Sequence, residues 1–215
     1  MKKLFIMSVF ILGAFATKAQ VGVGIYGGVN LSNITYNNGS IEDASGSVAG
    51  YHFGMVLDLG LAKVLSIQTG LNLSQRGGRK IYSTGNNVYE YAYKPTYIDI
   101  PVLLNVKIPL GDFALHLAGG PYFSYGVAGS RDATFNSVTI TQKIDWDDIK
   151  RTDMGLRLQA RLMVGKALFV GAYYDQGLSN IAEDKDYAIN NRNQFESFQN
   201  RNFGLSVGIM FNQAD

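Results

Sequence analysis

The chain has no cysteine, four prolines, two histidines and one tryptophan in 215 residues. Without cysteine there are no disulfides, no thiolate chemistry, no Cys-ligated metals and no lipoprotein anchor. No run of lysine or arginine tracks a phosphate backbone, which argues against nucleic acid as a partner. The one sustained apolar run, Leu4 to Phe15, is about a dozen residues, short of the ~20 that a helix needs to cross a bilayer. It follows Lys2 and Lys3 and precedes Thr17-Lys18-Ala19, a small-x-small sequence. Together these predict an export signal over residues 1–19 and a mature chain from Gln20. Loss of Lys2, Lys3 and Lys18 leaves 16 basic against 17 acidic residues, a net charge of −1, so the basic balance belongs to the precursor.

What the chain has in quantity is Gly (25), Tyr (13) and Phe (12), a sheet-forming composition. Residues 20–215 suffice for one domain. Period-two alternation is clearest where Ile98, Ile100, Val102, Leu104, Val106 and Ile108 alternate with Tyr97, Asp99, Pro101, Leu103, Asn105 and Lys107. Seven further segments alternate, around Val21–Leu31, Ala49–Leu59, Leu65–Leu73, Leu115–Phe123, Met154–Val164, Leu168–Tyr174 and Phe203–Phe211. Within the fifth strand in chain order, Gly119-Gly120 permits a bend or bulge. Hairpin turns are expected near 60–63, 109–112 and 165–167, and long polar loops near 32–46, 77–94, 126–152 and 179–200. An even strand count with short turns on one side and long loops on the other predicts an all-β, eight-stranded antiparallel up-and-down transmembrane β-barrel, with periplasmic turns and extracellular loops.

A soluble ligand-binding barrel would use the same alternation with its aliphatic face inward. The polar face decides against it, because Gly50, Gly54, Gly70, Asn72, Ser74, Gly155, Gln159, Gly204, Ser206 and Gly208 are small or hydrogen-bonding and carry no charge. A water-facing strand surface carries many more charges. The aliphatic face lacks mid-strand charge, as lipid requires. Phe211, near the C-terminus, fits the aromatic that such barrels commonly place on their last strand.

Four stretches, Tyr97-Ile98-Asp99-Ile100-Pro101-Val102-Leu103-Leu104, Ala118-Gly119-Gly120-Pro121-Tyr122, Asp153-Met154-Gly155-Leu156 and Tyr173-Tyr174-Asp175-Gln176-Gly177-Leu178-Ser179-Asn180-Ile181, resemble the PorT-like outer-membrane β-barrel family of Bacteroidetes-type bacteria. The resemblance implies a fold and an outer-membrane location. Most members have no assigned activity, one branch takes part in protein secretion across the outer membrane, and no catalytic residue carries over.

The candidate site is an interior polar network. A turn centred near residue 166 sets Arg157 and Asp175, nine residues to either side, opposite each other on the polar face. They are read as an ion pair that fills the barrel, the alternative being a gate or ion-selective constriction. Arg161 lacks an opposed acid on its neighbouring strand and is expected to draw on Asp99, Asp58 or a tyrosine hydroxyl, since an unpaired buried guanidinium is costly. His52 and His116 both point inward. A metal site would need Asp58 or Asp99 at matching heights, and a hydrolytic triad would need His52 with Ser47 or Ser74 beside a carboxylate. No nucleophile motif frames either serine. Neither metal, cofactor nor catalytic residues are therefore assigned, and the chain is read as a non-enzyme. In the longest loop, Asp145-Trp146-Asp147-Asp148 reads as solvated charge, with Ca²⁺ or a cationic surface as the alternative, and Trp146 as a candidate membrane-interface anchor. Tyr82, Tyr89, Tyr91 and Tyr93 are expected to do the same or to extend a hairpin above the membrane.

An eight-stranded lumen is only just wide enough for its own side chains, which disfavours a general porin. The expected function is a monomeric structural or interaction protein acting through its outer loops, with outer-membrane lipid and envelope proteins as partners. The alternative is transport or secretion, as a narrow channel or an accessory barrel of a secretion complex.

Overall fold

A computed structural model describes residues 21–37, 45–84, 87–135, 138–146, 149–181 and 197–212. The export-signal segment lies outside the described residues, as do Asp147 and Asp148. Eleven strands are described: β1 (Val21–Asn37), β2 (Ser45–Gly46), β3 (Val48–Ala62), β4 (Leu65–Gln75), β5 (Gly78–Thr84), β6 (Asn87–Leu110), β7 (Phe113–Phe135), β8 (Val138–Lys143), β9 (Thr152–Val164), β10 (Leu168–Gly177) and β11 (Ser197–Asn212). Eight of them, β1-β3-β4-β6-β7-β9-β10-β11, pair in that order, and β11 returns to β1 to close the ring. Every pairing is antiparallel. A closed ring pairs its backbone groups internally, which a bilayer core demands.

The sequence alternation sets which side chains face out. Val29, Leu31, Leu158 and Val207 are 56–65% exposed, whereas Arg76, Asp99, Arg157 and Asp175 are at most 2% exposed. This inverts the arrangement of a water-soluble protein, and the exposed aliphatic belt is a lipid-facing surface. On β6 the belt runs from Ile98 to Ile108. Ten residues at ~3.3 Å rise and ~40° tilt span about 25 Å, the height of an outer-membrane apolar band.

The periplasmic turns are tight. Leu110–Phe113 turns through Gly111 at φ +70°, and Val164–Leu168 through Gly165 at φ +63°. The opposite end departs from expectation. Much of the polar sequence expected to form loops is strand: β6 and β7 run on for 24 and 23 residues, and β5 and β8 flank them, with β2 against β5. The period-two run Tyr89, Tyr91, Tyr93, matched by Arg131, Ala133 and Phe135 opposite, continues the pairing above the membrane. The glycine pair also behaves differently, because Pro101 pairs Tyr122 and Leu104 pairs Gly119 without a register shift, and the irregularity falls at Thr96/Tyr97.

Toward the periplasmic end of the lumen Val56, Met163, Phe169 and Met210 pack together with Tyr26 and Ala114, beside buried polar groups that include Asp58, Ser66 and Asn105. Further polar groups, charged ones among them, fill the lumen above this cluster.

Candidate functional site

The β9–β10 register sets Asp175 opposite Arg157. Arg157 Nε donates to Asp175 Oδ1 at 2.6 Å and Nη2 to Oδ2 at 2.8 Å, a bidentate pair with both side chains at most 2% exposed. The guanidinium also reaches Asp99 Oδ2 at 3.4 Å from Nη2, and its central carbon lies 4.5 Å from the Tyr173 ring centroid. Asp99 accepts from Ser124 Oγ at 2.7 Å and from Asn72 Nδ2 at 2.9 Å.

A second arginine, absent from the sequence-based candidates, completes this cluster. Arg76 is fully buried and forms an ion pair with Asp99, lies 3.6 Å from both Asp153 and Asp175, and sits over the rings of Tyr97 and Tyr122. It sits just past the end of β4, and its own N–H donates to Pro95 O at 2.9 Å. The chain then passes through Gly77, at φ +150°, where a Cβ would run into the β6 backbone at Tyr93. Asp153 accepts from Asn200 at 3.0 Å and from Tyr122 at 3.3 Å. Asn202 donates to Tyr173 and Asp175, and Asn30 bridges Asn202 to the Gln75 carbonyl. Two arginines and three aspartates, all buried, are thus held by amides, hydroxyls and rings drawn from every strand of the barrel except β3.

The remaining candidates lie apart. Arg161 does not reach Asp99 or Asp58; among the described residues no carboxylate lies within ion-pair distance of it. Its guanidinium instead packs over Phe169 (4.9 Å) and Tyr26 (5.9 Å), and the Gln159 amide oxygen, turned toward it, accepts from Nη2 at 2.9 Å. Aromatic faces and an amide thus take the place of the expected acid. Asp58 pairs with Lys107 at 3.1 Å. His116 lies between Lys107 and Arg161 in the cross-strand register. His52 is paired directly with Ser74 in the register, but its Nε2 meets Ser206 Oγ at 2.9 Å, and its Nδ1 has no partner among the described residues. A hydrolytic triad needs a carboxylate on that nitrogen. Among the described residues no three His, Asp or Glu side chains converge as metal ligands.

Trp146 points inward, not toward the membrane interface. Its ring lies over Gly126, where a Cβ would run into Cη2 and Cζ3 of the indole, and meets Tyr97 edge-on at 6.3 Å, while Arg151 stacks 5.2 Å from it. Hydrogen bonds from Gly126 to the Arg151 carbonyl and from Ile144 to that of Gly129 tie this segment down, and Ile144, Ile149 and Ile181 are buried with it. The indole therefore caps the outer end of the polar cluster. Lower in the lumen, a cavity lined by Tyr26, Arg157, Arg161, Phe169, Tyr173 and Ser206 has room for about one water molecule. Apolar plug, charged cluster and aromatic cap together occupy the bore.

A family model described as outer membrane protein beta-barrel domain matches residues 15–183. The chain belongs to that family. It is an outer-membrane protein of eight-stranded barrel fold. Solved structures to which it is similar include the following three. The attachment invasion locus protein Ail of Yersinia pestis is 10% identical over 91% of this chain and 100% of that one, with a TM-score of 0.42. OprG of Pseudomonas aeruginosa is 11% identical over 91% and 98%, with a TM-score of 0.48. Neisserial surface protein A is 8% identical over 88% and 97%, with a TM-score of 0.40. No curated protein sequence matches the chain.

Proposed function

We propose that this protein is a closed, monomeric barrel of the PorT-like branch, exported by residues 1–19, that acts as a structural or interaction protein through its extracellular side. The observation that carries this reading is the filled lumen. Arg76, Arg157, Asp99, Asp153 and Asp175 hold one another across the bore, with Trp146 above and Phe169 below. A channel needs a continuous water path, and each step of one here would strip partners from buried charges. The part of the molecule built beyond what spanning requires is the outer sheet β2-β5-β6-β7-β8.

Planar-bilayer recording of residues 20–215 tests the closed barrel. Silence is expected from the wild type, and discrete conductance steps that change in Arg157→Ala would replace this reading with a narrow channel. The secretion reading predicts envelope proteins co-purifying after gentle solubilisation; a clean monomer counts against it. A lipid-modifying enzyme would leave different lipid masses in wild-type and deletion strains, and identical profiles are expected.

A further inference from the structure

We propose that the small lumen cavity between Arg157, Arg161 and Ser206 is a binding site for a single halide ion, chloride in physiological salt, taken up as the strands close around it. The inference goes beyond the proposed function and does not depend on the role of the extracellular side.

Two guanidiniums line this cavity, and each keeps N–H groups that its protein partners do not use. Arg157 spends Nε and Nη2 on Asp175 and Asp99, and Nη1 takes part in none of those bonds. Arg161 is 6% exposed and gives Nε and Nη2 to the Gln159 amide oxygen, turned toward it. No carboxylate among the described residues lies within ion-pair distance of Arg161, and none lines the cavity. Ser206 adds a hydroxyl. Its Oγ meets His52 Nε2 at 2.9 Å, and with that nitrogen as donor the hydroxyl proton is left for the cavity. Tyr26, Tyr173 and Gln159 complete the polar wall.

Charge and size say what the cavity takes. Two like charges that face one small space repel each other unless an anion lies between them, and a guanidinium without a counter-ion is costly in a lumen enclosed by lipid. The outer cluster holds one carboxylate in excess of its two arginines, but that charge is no substitute. Asp153, the third aspartate, is held by Arg76, Asn200 and Tyr122. It stands eight residues from Arg161 along β9, about 26 Å at ~3.3 Å per residue. Asp58 is engaged by Lys107. The space holds about one water molecule, which excludes sulfate, phosphate and carboxylates and leaves a monoatomic anion. A halide accepts from several donors at once with little demand on direction, which suits guanidinium and hydroxyl groups set around a small void. Water would satisfy the donors and leave the charge unbalanced.

The test is to refold residues 20–215 in sodium bromide and crystallise the barrel in the same salt. An anomalous bromide peak is expected between Arg157, Arg161 and Ser206, and Arg161→Gln should lose it. In solution, urea unfolding in vesicles is compared in sodium chloride and in sodium gluconate, whose anion is too large for the cavity, at equal ionic strength. With a Kd about one tenth of the salt concentration, the folded-to-unfolded ratio of the wild type should be about tenfold higher in chloride. Arg161→Gln should show the same ratio in both salts, and Ser206→Ala should keep only part of the gain. A cavity that holds water only, seen as no bromide peak in the wild type, would overturn the proposal even if neither variant folds. So would a peak without chloride-dependent stability, which is binding at crystal concentration only, and so would an equal chloride gain in Arg161→Gln.

Discussion

Replacing Arg157 by Met should destabilise the barrel far more than replacing its partner. Arg157 is 2% exposed, and its removal leaves Arg76 alone against Asp99, Asp153 and Asp175. Asp175 would keep only Asn202 at 3.4 Å and Arg76 at 3.6 Å. Breaking a buried pair in this way costs about 3–5 kcal/mol. Asp175→Asn removes one carboxylate from a cluster that holds three against two guanidiniums, and leaves Arg157 its contact with Asp99. Its cost should be about 1–3 kcal/mol, that of a charge-assisted hydrogen bond. Because the two side chains share one bidentate contact, the double variant should cost less than the sum of the singles by at least ~1 kcal/mol. Urea unfolding in lipid vesicles, followed by the fraction migrating as folded barrel on unheated gels, gives all three values. Additive costs, or Arg157→Met within ~1 kcal/mol of wild type, would refute the cluster as a cooperative element.

Three further outcomes follow from the same geometry. Leu104→Arg, in the middle of the belt and 53% exposed, should cost ~2–4 kcal/mol in vesicle unfolding, and Leu110→Arg at its periplasmic edge ~0–1; equal costs would contradict the placement of the band. Trp146 is the sole tryptophan, so its fluorescence reports the cap directly, and brominated lipids should quench it weakly, whereas strong quenching would place it at the interface. Asp132, above the membrane, is held below the ordinary carboxylate range by its hydrogen bond from Lys94 at 2.8 Å. A depressed folded-state pKa contributes stability above the unfolded value of ~3.9 that is lost as pH falls through the folded one. Amide protection factors across Lys94 and Asp132, corrected for intrinsic exchange at each pH, should therefore fall on acidification below about pH 4 in wild type, and not in Asp132→Asn.

The parts legible in the sequence are those that the membrane constrains on both faces. Ile98 to Ile108 must meet lipid and Tyr97 to Asn105 must fill a narrow bore, so the alternation is strict and fixes the strand. A three-residue turn likewise carries enough register to set Arg157 opposite Asp175. Arg76 escaped because Gln75-Arg76-Gly77-Gly78-Arg79 breaks the alternation and looks like the start of a loop. Its inward course depends on contact with Pro95 and Tyr93, twenty residues on, which no local period encodes. Asp153 was hidden for a related reason, since its partners Asn200 and Arg76 come from β11 and the end of β4. The outer sheet was masked by its Asn, Ser and Gly, and only the tyrosines at 89, 91 and 93 signalled it.

The most direct test of a lipid-clad barrel with a filled lumen uses the absence of native cysteine. Leu103→Cys and Leu104→Cys, adjacent on β6 and 0% and 53% exposed, would be offered water-soluble and lipid-soluble maleimides in vesicles. Residue 104 should react with the lipid-soluble reagent alone, and residue 103 with neither. Labelling of residue 103 by the water-soluble reagent would mean an open aqueous bore, and labelling of residue 104 by it would mean that the aliphatic face does not meet lipid.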